Sequence, residues 1–227
     1  MVFLPAPDRA AKKAPLDRPR IVAAARALLD AVGLDELTMR RVAKHLDTRA
    51  ASLYRHVRDK DELLNLLADE IAGEVPLIRA KGPWRARLVN MATQARRTLS
   101  TLRDAARLLA GTRPMGPNRL AHIEGTLKAL CDAGLAPREA AWAAYHFNNY
   151  INEFAADEAR LAAAAAVTGL DRSALLADAR GRFASLPAAT FPTIVALAEH
   201  LAEDDADALF RFGLDLWLDG LEGQLGR

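Results

Sequence analysis

The segment Thr38-Met-Arg-Arg-Val-Ala-Lys-His-Leu-Asp-Thr-Arg-Ala-Ala-Ser-Leu-Tyr-Arg-His-Val-Arg-Asp-Lys60 constrains this chain more than any other. Met39, Val42, Ala43 and Leu46 recur at helical spacing, and Leu53 and Val57 do so again after a polar break. Thr38 is placed to cap the first of these two helices through its hydroxyl. Asp47 and Thr48 supply a tight turn, where a short polar side chain tolerates left-handed backbone. Two short amphipathic helices about such a turn make a helix-turn-helix, whose second helix is built to enter a DNA major groove.

Taking Arg49 to Val57 as that second helix, Leu53 and Val57 face inward and Arg49, Ala50, Ser52, Arg55 and His56 are left outside. Arg49 and Arg55 can each fork onto a guanine edge or touch phosphate only; the sequence leaves both roles open. Ser52 reaches a base edge or a phosphate, and Ala50 is small enough to pack on a thymine methyl. Tyr54, His56 and Lys60 carry groups that grip a sugar-phosphate backbone, as do Thr38 and Arg40 from the first helix. The alternative for all nine is a solvated basic face on a small helical hairpin. Charge distribution favours the polyanion. Residues 1–60 hold 13 Lys+Arg against 7 Asp+Glu, a net of +6, and residues 61–227 hold 18 against 22, a net of −4. The whole-chain value of +2 hides a basic head on an acidic body.

Upstream, residues 1–15 read as a tail rich in Pro, Ala and Lys, in which Lys12 and Lys13 are either a basic arm or plain disorder. Asp17 caps a first helix that runs to Ala31 and stops at Gly33. Downstream, Asp59 or Asp61 opens a fourth helix to about Glu74, closed by Pro76 and joining head to body. The body is expected to be helical throughout: 84–102, 105–110, 117–133, 137–160, 171–184, 188–201 and 204–221. With half the residues hydrophobic, the expectation is an all-α chain: a three-helix head over 16–75, ending in the linking helix, and a body over 76–227.

Several function classes are excluded by what the sequence lacks. It holds no Gly-x-Ser-x-Gly elbow, no His-Glu-x-x-His and no Walker phosphate loop, so no enzyme is expected. Five scattered histidines and the single Cys131 give no metal-ligand cluster, so neither metal nor cofactor is expected. A lone cysteine also forbids an internal disulfide. No signal-like opening and no apolar run of membrane length are present, which gives a cytoplasmic expectation without a membrane partner.

The last helix carries Leu209, Phe210, Phe212, Leu214, Leu216, Trp217, Leu218 and Leu221, apolar around most of its circumference. Such a helix needs partners on every side, and Gly213 and Gly220 on one face admit close approach of a second backbone. Together with 137–160 it suggests a homodimer through a four-helix interface, the other reading being burial within one subunit. The long helix crowds Trp142, Tyr145, His146, Phe147, Asn148, Asn149, Tyr150 and Asn152. Aromatic walls with amide handles suit a mostly apolar small molecule, and the same residues equally suit a dimer seam. Arg113 sits after a turn, where it anchors an acidic ligand or pairs with a carboxylate of the body.

These residues reach a known family. From Leu16 to about Val75 the chain resembles the DNA-binding head of TetR-family transcriptional repressors. The resemblance lies in Leu16-Asp17, Ala31-Val-Gly-Leu34, Leu37-Thr38, Arg40, Val42-Ala43, Leu53-Tyr54, His56-Val57 and Lys60-Asp-Glu-Leu-Leu64. In the body, Gly111-Thr-Arg-Pro114, Leu130-Cys131, His146-Phe147 and Phe212 to Glu222 are similar to the C-terminal domain of the tetracycline repressor. The resemblance implies a homodimer on a palindromic DNA operator, released by a small effector. It also adds Met91, Ala95 and Thr112 to the candidate ligand contacts Arg113, Trp142, Tyr145, His146, Asn149 and Asn152. The departures count as well. Leu109 stands where that repressor holds magnesium with histidine, Phe154 where it has a carboxylate, and Pro76, Met91 and Ala95 where it has polar or aromatic drug contacts. Without imidazole or carboxylate a hard divalent ion has little to bind, so a magnesium–tetracycline complex is not the expected ligand. A rival to the repressor is a protein that sequesters a small molecule and keeps only a vestigial head.

Overall fold

The computed structural model describes residues 15–77 and 82–225, and among them every regular element is helical. In chain order these are α1 (Arg18–Val32), α2 (Met39–His45), α3 (Ala50–Leu53), α4 (Lys60–Glu74), α5 (Trp84–Thr101), α6 (Ala105–Ala110), α7 (Pro117–Asp132), α8 (Pro137–Thr168), α9 (Arg172–Ala184), α10 (Pro192–Ala196), α11 (Ala198–Leu201) and α12 (Ala206–Leu225). The expected basic arm at Lys12 and Lys13 lies outside the described residues.

Local chemistry sets the head. The Asp17 carboxylate accepts from Arg20 N at 2.9 Å, the Thr38 hydroxyl from Arg41 N at 3.3 Å and the Asp59 carboxylate from Glu62 N at 2.7 Å, so α1, α2 and α4 each start on a side-chain cap. Gly33 turns the chain out of α1 with φ +82°, and Asp47 takes φ +48° between α2 and α3. Ile21, Ala25 and Leu29 meet Val42, Leu53 and Val57 in a closed core.

That core does not stop at the head. It runs on through Leu63, Leu67 and Ile71 of α4 into Ala105 and Leu108 of α6 and Ala155 of α8. A second core joins Leu88, Leu130, Phe147, Leu214 and Leu218, from α5, α7, α8 and α12. Head and body therefore meet at more than the linking helix expected from sequence. Arg103 donates to the carbonyls of Asp30 and Ala31 at the end of α1, Asp104 accepts from Leu34 N at 2.8 Å, and Arg107 pairs with Asp35 through both guanidinium ends.

Several body boundaries differ from expectation. α8 continues past Arg160 to Thr168, because the alanine-rich stretch after it has high helix propensity until Gly169 takes φ +71°. Its 32 residues span about 48 Å. The single helix expected over 188–201 is two short ones, with a break at Leu197.

Candidate DNA-binding face and ligand cavity

The expected second helix over Arg49 to Val57 is shorter in the structure: α3 covers Ala50–Leu53, and Tyr54 to His56 form a turn. His56 N and Val57 N both donate to the Leu53 carbonyl at 2.9 Å, so the chain stays coiled although the regular ladder ends. Leu53 and Val57 are fully buried, which turns Arg49, Tyr54 and Arg55 outward; Ala50, Ser52 and His56 are half-buried beside them. Arg40, Arg49 and Arg55 are exposed and pair with no carboxylate among the described residues; Lys60, also exposed, forms no ion pair there but its charge reaches Asp35. Their neighbours do pair. Arg41 meets Glu36 at 2.5 Å, and Glu62 collects Arg18 at 3.2 Å and Arg58 at 3.1 Å. Hydrogen bonds from the Arg58 backbone and side chain hold the Glu62 carboxyl below the usual range. The exposed Thr38 hydroxyl serves as the α2 cap. The cations without a paired carboxylate thus precede, start and follow α3 in the chain, while Arg18, Arg41 and Arg58 are held by Glu36 and Glu62.

In the body, a cavity of about 490 Å³ lies among α4, α5, α6, α7 and α8. Its walls are mostly apolar, with Val75, Leu99, Leu109, Ile123, Leu127 and Phe147 among them. Six of the nine ligand contacts expected from sequence line it: Met91, Ala95, Thr112, Tyr145, Asn149 and Asn152. Three do not. Arg113 uses its backbone N–H to donate to Asn65 Oδ1 at 2.9 Å, and its side chain is exposed outside the lining. Trp142 lies under the Arg138 guanidinium, 4.3 Å from ring centroid to Cζ, on the outer face of α8. His146 is exposed and stands edge-on to Tyr145 at 5.4 Å. The helical turn simply carries positions 142 and 146 away from the wall that 141, 145, 148 and 152 form.

Sequence reasoning missed the α7 wall. Arg119, His122, Ile123, Thr126 and Leu127 follow the spacing i, i+3, i+4, i+7, i+8, one helix face. That polar-and-apolar stripe was the available signal. Arg119 donates through Nη2 to the Leu109 carbonyl at 2.8 Å, and through Nη1 to Thr112 Oγ1 at 2.7 Å and the Thr112 carbonyl at 3.3 Å. His122 Nε2 donates to the Ala72 carbonyl at 2.9 Å. Asp69, buried on α4, accepts from Arg119 N at 2.9 Å and from Asn118 Nδ2 at 3.3 Å, so α4 caps the start of α7 across space. A Cβ on Gly116 would sit 2.2 Å from Asp69 Cγ, so only glycine fits at that seam. Asn65, Asp69 and Ala72 thereby tie three successive turns of α4 to the cavity's frame.

The position where the metal-binding histidine was missed, Leu109, is a buried apolar part of the cavity wall, and the Phe154 ring lies 4.9 Å from Arg96 Cζ. No cluster of three or more metal-ligating side chains occurs among the described residues.

This geometry, a small helical head with free cations above a cavity-bearing bundle, has counterparts in known proteins. Residues 21–67 match the family described as bacterial regulatory proteins, tetR family, and residues 76–225 match the tetracyclin repressor-like C-terminal domain. The chain belongs to the TetR family. Its relatives include the tetracycline repressor protein class G of Vibrio anguillarum, 32% identical over 91% of this chain and 94% of that one. The crystal structure of the TetR-family protein ActR of Streptomyces coelicolor in complex with actinorhodin superposes with a TM-score of 0.82, at 34% identity, over 94% of this chain and 100% of that chain. BioQ bound to its double-stranded DNA operator superposes at 0.66, with 25% identity, over 91% of this chain and 98% of that one. As in TetR relatives named as repressors, the head is a helix-turn-helix and the fold is all-α. No described helix is long and apolar enough to cross a membrane.

The α12 surface separates into two. Phe210, Leu214, Leu218 and Leu221 pack inward, while Leu209, Phe212 and Leu216 are 62%, 65% and 59% exposed. At Gly213 the close approach comes from within the chain, where a Cβ would meet Tyr150 Oη at 2.6 Å, while Gly220 has nothing within 4 Å. On α8, Trp142 and Tyr145 are likewise 54% and 65% exposed.

Proposed function

We propose that this chain is a ligand-responsive transcriptional repressor, with a DNA-binding head over 16–75 and an effector-binding, dimerising body over 76–227. The observation that carries this reading is the pairing of unpartnered head cations with an apolar cavity whose frame is bonded to the linking helix. Thr38, Arg40, Tyr54, His56 and Lys60 then hold the phosphate backbone, and Arg49, Ala50, Ser52 and Arg55 meet base edges. Exposed apolar residues of α8 and α12 support a homodimer through 137–160 and 204–221, because a monomer leaves rings such as Trp142 and Phe212 in water. A two-fold dimer presents two α3 segments to a palindromic operator one helical turn apart. ActR holding actinorhodin and BioQ holding its operator support the two kinds of partner, a small mostly apolar effector and duplex DNA.

An occupant touching Thr112 and His122 bears on both head connections, α6 through the Arg107–Asp35 clasp and α4 through Ala72. It releases DNA only if it binds the DNA-incompetent arrangement more tightly than the competent one. The test is a footprint of the purified chain on DNA flanking its own coding region. A protected two-fold symmetric site, lost on adding a cavity-binding compound, is the expected result. Cavity binding with no footprint on that DNA favours a sequestering protein with a vestigial head.

A further inference from the structure

The cavity is electrically unbalanced. None of its lining residues is Asp or Glu, and Arg119 is the one permanently charged side chain among them. Arg96, buried in the body, is matched: it meets Glu158 with two bonds of 2.9 and 2.6 Å and Asp207 with a third of 2.7 Å. Arg119 has no such partner among the described residues; its three bonds all end on neutral oxygens of Leu109 and Thr112. A guanidinium carries five N–H donors, so two remain. Asp69, whose charge reaches Arg119, is spent on the backbone N–H of Arg119 and the Asn118 amide. Burial pushes the Arg119 guanidinium down from its ordinary value, and Asp69 offsets only part of that. A half-buried cation without a counter-charge gains more from an anion than an exposed one does.

We infer that the cavity selects an organic anion: an effector with an apolar body against Leu109, Ile123 and Phe147 and a carboxylate, sulfonate or similar acid seated on Arg119. This rests on the cavity being the effector site, as proposed above. The anchor also supplies a release step. An acid that draws the guanidinium toward itself takes it off the Leu109 carbonyl in the last turn of α6 and the Thr112 carbonyl just beyond it, and the same helix clasps the head through Arg107 and Asp35.

A matched pair of fluorescent probes tests this on the full chain: 8-anilinonaphthalene-1-sulfonate and the neutral N-phenyl-1-naphthylamine, which share a skeleton and differ by the sulfonate. Each is titrated into the wild type, Arg119→Gln, Arg119→Lys and Ala95→Phe, the last filling the cavity. Arg119→Gln is expected to weaken the sulfonate by about tenfold more than the neutral probe, the scale of a lost charge-assisted hydrogen bond. Arg119→Lys keeps most of the preference, and Ala95→Phe removes both probes. Equal effects of Arg119→Gln on the two probes, or no effect on either, overturn the anion anchor while leaving the cavity reading intact. Failure of both probes to bind the wild type, or indifference of both to Ala95→Phe, overturns the cavity reading and the anchor with it.

Discussion

Arg40, Arg49 and Arg55 on the head stand in solvent with no carboxylate beside them among the described residues, whereas Arg96 in the body is 7% exposed, held by Glu158 and Asp207, with Phe154 and Phe210 rings 4.9 and 4.8 Å away. The same side chain does opposite work in the two places. In the body it joins α5, α8 and α12, so its removal strands a carboxylate in a poorly solvated site. On the head it holds nothing of the fold together, so its removal leaves the fold alone and takes away a contact for a polyanion. Loss of Arg96 is therefore expected to show in stability, and loss of the head arginines in DNA affinity.

The largest effect that can break this contrast is in the body. Arg96→Met leaves Glu158 without its bidentate partner and is expected to cost about 3 kcal/mol of unfolding free energy. Arg211→Met removes an exposed pair with Asp215 and is expected to cost less than about 1 kcal/mol. Urea denaturation midpoints of the two variants check this; equal losses would mean that the Arg96 cluster is no stronger than a surface pair. Next in size is Gly116→Ala, whose added methyl collides with Asp69 at the α4–α7 seam. Overpacking there is expected to cost about 1–3 kcal/mol, read as a lower melting temperature. Since that seam joins linking helix to cavity, gel shifts of the same variant should also show altered operator affinity.

On the head, Arg55→Ala is expected to weaken operator binding by about 1–3 kcal/mol at fixed salt without moving the melting temperature. Arg40→Ala should weaken specific and non-specific DNA alike and lower the salt slope by about one. Gel shifts at several salt concentrations separate the two, and identical behaviour would reduce Arg55 to a phosphate contact.

The head was readable because its determinants are local. Asp17, Thr38 and Asp59 cap the helices that follow them, and Asp47 sits at the turn its side chain tolerates. The length of α3 was not readable. Hydrophobic spacing of Leu53 and Val57 is kept equally by a helix and by the turn that replaces its second half. The cavity was half readable. α8 announced itself through clustered amides and aromatics, but periodicity could not say which of them turn inward, and Trp142 and His146 lie outside the cavity lining. Arg119 and His122 were silent, because an arginine on a helix of mixed polarity reads as solvated until α4 and α6 are packed against it. The extra head contact through Arg103, Asp104 and Arg107 was equally hidden, since its partners are 70 or more residues away.

That contact offers the smallest and most specific test, because it includes an ion pair between head and body, Arg107 with Asp35. Hydrogen bonding to Arg107 holds the Asp35 carboxyl below its ordinary value. A carboxylate depressed in the folded state binds its proton more readily once unfolded. Its contribution to stability is therefore complete above the unfolded value, near pH 4, and disappears as pH falls through the lower folded value. Asp35→Asn should lower the melting temperature slightly at pH 7, and the gap from wild type should close on acidification toward pH 3. Both residues are exposed, so the gap should also shrink in high salt. A difference that persists unchanged at pH 3 would place the role of Asp35 in shape rather than charge. The clasp would then transmit movement of α6 by packing alone.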